Sequence, residues 1–177
     1  MLATAEATDG QIFVDLGCGA GKALVAAALS DVHFQRVTGI ELLPTLTACC
    51  RKAVAHLRNI MKGADETTDV PTHFEARLSA SSLKSSQSRL PLMDIREGDI
   101  LEIDWSEADL VYISSICFPE SVLHRIFERA TRLKVGSTLI TLKLIPGFEK
   151  YFELKAEKWF KMSWGSILVY FLGRVAA

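Results

Sequence analysis

The stretch from Phe13 to Lys22, Phe-Val-Asp-Leu-Gly-Cys-Gly-Ala-Gly-Lys, constrains the chain more than any other. An apolar run, Ile12 to Leu16, carries one acid, Asp15, and leads into glycines at positions 17, 19 and 21. A helix-forming run follows from Ala20 to about Ser30. This order predicts a buried strand, a tight turn and a helix whose N-terminus faces the same point as the turn. Glycine at Gly17, Gly19 and Gly21 removes the side chains that would keep a ligand from the backbone.

The strand-turn-helix unit repeats its logic along the chain. Arg36 to Glu41 reads as a second strand ending in an acid. Pro44 and Thr45 are helix-start signals, and apolar residues from Leu46 to Met61 recur at helical spacing. Met93 to Glu97 is a third strand, followed by Gly98-Asp99-Ile100. Leu110 to Ser114 is a fourth, read as running on without a break through Ser115 to Phe118. A helix is expected from Pro119 to Leu133, and a fifth strand from Ser137 to Leu144. Phe152 to Trp164 alternates as a sixth strand with a bulge after Ala156, its aromatics expected in the core. Ile167 to Leu172 is a seventh. Alternating strands and helices imply a parallel sheet covered on both faces, an α/β Rossmann-like sandwich. The short turn between the last two strands requires them to pair antiparallel.

At 177 residues the chain is expected to form a single domain, 1–177. Residues 63–91 interrupt the pattern with a polar, serine-rich stretch, read as a flexible insertion with a short strand around 72–78. The formal net charge of -1 gives no signal for nucleic acid. Cys18, Cys49, Cys50 and Cys117 form no CxxC, and His33, His56, His73 and His124 are scattered, so neither a zinc site nor a disulfide framework is expected. Unpaired cysteines point to a reducing, intracellular compartment, nucleus or cytoplasm. No apolar run reaches membrane-spanning length. Nothing in the residues speaks to oligomeric state.

Three acids at successive strand ends define the ligand. A dinucleotide turn is spaced GxGxxG, whereas this one is GxGxG with Asp15 just ahead of it. A carboxylate there is poor company for pyrophosphate. It suits a ligand carrying an amino group and a sulfonium, S-adenosylmethionine. Glu41 is placed to accept from both ribose hydroxyls, with Leu42 beside it. Asp99 is placed to accept from the adenine amino group, with Ile100 packing on the ring. Cys18 is read as a compact side chain within the turn. Lys22 either steers a ligand carboxylate or is simply solvated at a helix start.

With these residues in place the chain resembles the class I S-adenosylmethionine-dependent methyltransferases from Ile12 to Val175. That resemblance implies a seven-stranded sheet in the order 3-2-1-4-5-7-6 with the seventh strand antiparallel. Within the class it looks most like the disruptor-of-telomeric-silencing family of histone lysine methyltransferases. The stretches that carry this are Val14 to Gly21, Gly39-Ile40-Glu41, Gly98-Asp99-Ile100, Val111 to Glu120 and Leu139 to Lys143. The chain departs from the family where Ser114 and Ser115 replace a pair of asparagines and Lys22 replaces a glutamine. Little sequence precedes the first strand, where the family has a helical region, so a fragment is one expectation.

The resemblance implies methyl transfer to a protein acceptor, lysine being the candidate and a histone the candidate partner. Such transfer depends on alignment more than on a catalytic dyad. Ser114 is the residue expected to orient the nucleophile or the cofactor, while Tyr112, Ile116 and Phe118 wall the acceptor channel. The alternative is a non-catalytic S-adenosylmethionine-binding domain acting with a partner protein.

Overall fold

A computed structural model describes residues 1–61, 90–162 and 165–176. The insertion expected over 63–91 lies outside the described residues except for its last two, as does the short strand expected around 72–78.

Seven strands form one sheet in the order β3-β2-β1-β4-β5-β7-β6. These are β1 (Ile12–Leu16), β2 (Arg36–Glu41), β3 (Leu92–Glu97), β4 (Leu110–Ile113), β5 (Thr138–Thr141), β6 (Phe152–Met162) and β7 (Gly165–Arg174). The first five pair parallel, while β7 pairs antiparallel with both β5 and β6. The expected strand order and the terminal hairpin are both present.

The central strands are buried over nearly their whole length, because helices cover both faces of the sheet. On one face, α1 (Lys22–Ala28) and α2 (Pro44–Met61) bury Leu24, Val25, Cys50, Val54 and Leu57 against Phe13, Val37 and Phe171. On the other, α3 (Glu120–Ala130) buries Leu123, Ile126, Phe127 and Ala130 against Val14, Leu16, Val111, Leu139 and Leu172. The alternation of each strand thus feeds two cores, one per face. Residues Met1, Leu2 and Ala5 pack into the α1–α2 core, as do Phe160 and Ile167 of the hairpin.

Several expected boundaries are wrong for local reasons. The first helix begins only at Lys22, because Gly21 precedes it at φ 87 and cannot be helical. The fourth strand does not run through to Phe118. It stops at Ile113, and Ser115–Cys117 form a turn of 3-10 helix. The third helix ends at Ala130, ahead of the expected Leu133. The fifth strand stops at Thr141 because the Thr141 hydroxyl bonds Lys143 O at 3.0 Å, turning the chain out of the ladder. The bulge in β6 falls between Leu154 and Ala156, ahead of Ala156 rather than after it as expected. It puts Ala156, Lys158 and Phe160 on one face and Glu157, Trp159 and Lys161 on the other. Phe160 therefore reaches Phe171, whereas Trp159 is 67% exposed and not part of the core.

Candidate active site

The carboxyl ends of β1, β2, β3 and β4 lie side by side at one edge of the sheet. That is where open α/β folds bind their ligands. The glycine turn is tied to this edge by Gly17 and Cys18, whose N–H groups both donate to Ile40 O, at 2.9 and 3.1 Å. Glu41 braces it further. One oxygen of its carboxylate accepts from Gly19 N–H at 2.8 Å and the other from Leu43 N–H at 3.0 Å. A carboxylate offers about four acceptor positions, so two such bonds leave room for the ribose hydroxyls.

Two features of the turn admit only glycine. Gly21 sits at φ 87, and a Cβ there would lie 2.6 Å from the Cys50 sulfur. In β2, a Cβ on Gly39 would lie 2.7 Å from the Cys18 sulfur. Cys18 and Cys50 thus occupy the space the two glycines vacate, beneath the turn. The thiol of Cys18 donates to Gly19 O at 3.9 Å, and the adjoining Cys50 thiol and burial push it up. The neighbouring Cys18 thiol in turn holds the Cys50 thiol below its ordinary range, against the effect of burial. Cys18 was expected in the turn, but Cys50 was missed. A glycine inside a strand pattern, Gly39, was the available signal for a close approach.

Asp15 is buried at 3% exposure, and no hydrogen bond reaches its carboxyl among the described residues. Burial, then the neighbouring Cys50 and Glu41, push it up to about 8. Burial thus favours the neutral acid, and a cation beside it would favour the charged form. Tyr112 is its neighbour across the β1–β4 ladder. Burial and the Asp15 charge raise the phenol, while a bond to Ser114 opposes the rise.

The remaining expected residues divide. Lys22 is exposed at the first position of α1, and Leu42 is 60% exposed beside Glu41. Asp99 accepts from Leu101 N–H at 2.8 Å, so one of its oxygens serves its own turn. Ile100 is packed mainly into the α3-side core, where its carbonyl accepts from Trp105 Nε1 at 2.9 Å. Ser114 is exposed and makes no capping bond to the turn it precedes. Its neighbour Ser115 is fully buried and bonds Thr141 Oγ1 and Leu142 N–H, each at 3.0 Å. The expected channel wall is split across the sheet. Tyr112 and Ile116 pack with the α1–α2 core, and Phe118 with the α3 core. Phe118 nonetheless reaches the turn, its ring tip 3.4 Å from where a Cβ on Gly17 would stand.

Beyond this loop lies a pocket of about 430 Å³ that the sequence did not announce. Leu123, Leu142, Leu144 and Ile145 supply apolar lining, and Glu120, Lys143 and Tyr170 supply polar groups. No residue spacing signals it, because its walls come from α3, the turn after β5 and β7. Among the described residues no cluster of His, Cys, Asp and Glu could hold a metal ion, and no helix is long and apolar enough to cross a membrane.

The family profile described as histone methylation protein DOT1 matches residues 1–161. The chain belongs to that family. It is a family of S-adenosylmethionine-dependent methyltransferases. The chain also shares its fold with several solved proteins. An RNA methyltransferase from Salinibacter ruber, in complex with S-adenosyl-L-homocysteine, aligns at a TM-score of 0.57 and 21% identity, over 100% of this chain and 89% of that one. The B. subtilis tRNA methyltransferase TrmK aligns at 0.62 and 17%, over 97% and 64%. A point mutant of MtNAS, in complex with S-adenosylmethionine, aligns at 0.63 and 15%, over 99% and 59%. The chain thus spans under two thirds of the latter two proteins. No curated protein sequence matches the chain.

Proposed function

We propose that the chain binds S-adenosylmethionine at the Gly17–Gly21 turn and transfers its methyl group to a protein, with a lysine side chain as acceptor. Asp15 carries the cofactor part of this reading. Burial disfavours the charged form of this carboxyl, and a ligand ammonium beside it relieves that. The glycine cradle and the free acceptor positions of Glu41 fit an adenosyl ligand with an amino-acid tail. Membership of a histone methylation family supports a protein acceptor.

When bound, S-adenosylmethionine supplies a methyl group activated by a sulfonium. The chain's own residues do the rest by position. Asp15 gives up its proton and holds the ligand ammonium. Glu41 orients the ribose while keeping Gly19 in place. Asp99 accepts from the adenine amino group, and Leu42 covers the ligand from the rim. Ser114 stands exposed at the carboxyl end of β4 and orients the incoming nitrogen, which arrives unprotonated because a lone pair must attack. Phe118 closes the turn from the other side and keeps water out.

The test is transfer of labelled methyl from S-adenosylmethionine to purified core histones, with total tRNA as the competing acceptor. Label in histone lysine is expected. Label in tRNA alone overturns the protein acceptor. A second reading, a cofactor-binding subunit that acts through a partner, is favoured by Ser115. This serine stands where the family has an asparagine, and it is spent on pinning the loop to β5. Tight cofactor binding with no transfer to either acceptor would establish that second reading.

A further inference from the structure

β7 outreaches β5. The two pair only from Thr141↔Tyr170 to Thr138↔Gly173, so the part of β7 from Gly165 to Val169 runs past the carboxyl end of β5. Its far edge is taken by β6 along the whole length. Its near edge has no main-chain partner among the described residues. The direction of the main-chain groups follows from Arg174, whose N–H donates to Ser137 O and whose O accepts from Gly136 N–H. Counting back by twos, Leu172 and Tyr170 also turn their groups toward β5, and Leu168 and Ser166 turn theirs to the open edge. This edge stands above the same rim of the sheet as the cofactor turn.

The pocket lies directly below it. Tyr170, the last β7 residue paired with β5, is one wall, and Leu142 to Pro146, which leave β5, form another. Ser115 fastens that second wall to the Ser114–Phe118 loop, and the tip of the Phe118 ring lies 3.4 Å from where a Cβ on Gly17 would stand. Above the pocket, Leu168 and Trp159 face each other across the hairpin on the same side as Tyr170 and make an apolar shelf.

We propose that an extended segment of the acceptor protein pairs with the open edge of β7 at Ser166 and Leu168, in line with β5, and lays a side chain into the pocket beneath. This rests on the reading of the acceptor as a protein. Exposed N–H and C=O groups at two-residue spacing match a polypeptide backbone, which gains affinity from main-chain bonds and selectivity from alternate side chains. They offer little to a nucleic acid. The occupant is therefore an extended peptide, and RNA is an outcome to be tested.

The experiment is amide hydrogen exchange on the full chain, free and with S-adenosylhomocysteine, in the presence of purified core histones or total tRNA. Histones are expected to slow exchange at Ser166 and Leu168 at least tenfold. In parallel, Ser166→Pro deletes an outward N–H without breaking a bond to β6, and Ser166→Ala keeps that N–H. The proline variant is expected to show a KM for histone three- to tenfold above that of the alanine variant, as one lost main-chain bond predicts, with equal affinity for S-adenosylhomocysteine. Slow exchange at both amides in the free protein would mean another part of the chain already covers the edge, and would overturn the proposal. So would histone binding without protection there, protection by tRNA alone, or equal KM for the two variants. A chain that neither binds S-adenosylhomocysteine nor transfers methyl fails as a methyltransferase, but the exchange arm needs neither property and still decides the docking edge.

Discussion

Replacing Asp15 with asparagine separates what its carboxyl does for the fold from what it does for the ligand. In the folded protein the group titrates near 8, and in the unfolded chain near 3.9. Between those values the folded state holds a proton that the unfolded state has lost. Stability therefore falls as pH rises from about 4 to about 8. At roughly 1.4 kcal/mol per pKa unit, the loss by pH 8 is on the order of several kcal/mol. Asp15→Asn should be more stable than the parent at pH 8 and close to it at pH 4, as read by denaturant melts across that range. The same variant should lose at least tenfold in affinity for S-adenosylmethionine. Binding to the parent at pH 6 to 7 should release a proton, visible in calorimetry as a heat that changes with the buffer's ionisation enthalpy. Glu41→Ala removes a charged acceptor and a brace on Gly19 together. It should weaken adenosyl binding about tenfold to a hundredfold. Gly21→Ala meets both a left-handed backbone and the Cys50 sulfur. A loss of about 1–3 kcal/mol is expected, and a second change, Cys50→Ala, should restore the steric part in a double-mutant cycle.

Among the elements, the loop after β4 and the turn after β5 behave as one piece because Ser115 joins them. Ser115→Ala strips a partner from the buried Leu142 N–H and from the Thr141 hydroxyl. It should cost about 1–3 kcal/mol in thermal or denaturant melts. It should also lower kcat more than cofactor affinity, since the glycine turn is held by Ile40 and Glu41 instead. This coupling also marks where sequence reading stopped. The strands and their order were legible because period-two apolar runs, helical runs and one short final turn leave few topologies. The position of Asp15, Glu41 and Asp99 at one edge was legible because strand ends in such a sheet lie side by side. The stop at Ile113 was not, since Ser115 to Phe118 is as apolar as a strand. What ends the strand is a hydroxyl partner 26 residues away. Cys50 under the turn, the division of the channel residues between two cores, and the bulge ahead of Ala156 all depend on packing between elements. Residue order carries no mark of that packing.

For the molecule as a whole, the two described tryptophans report on different things. Trp105 is 3% exposed with its Nε1–H bonded to Ile100 O, whereas Trp159 stands out on the hairpin. Trp105→Ala should cost about 3–5 kcal/mol, and Trp159→Ala should change stability by less than about 0.5 kcal/mol. Denaturant midpoints at fixed pH check both. The strand order has a further consequence for synthesis. Among the described residues β6 has β7 as its only neighbour in the sheet, yet β7 follows it in the chain. A nascent chain that has reached Met162 holds an eleven-residue strand with nowhere to dock, and Leu139 and Ile140 of β5 lack their partner as well. The parallel half can assemble as it emerges from the ribosome, but the antiparallel half must wait until Arg174 is free of the exit tunnel. Ribosome pauses within that interval would leave apolar strand edges bare, and that is the window in which a chaperone would find this protein.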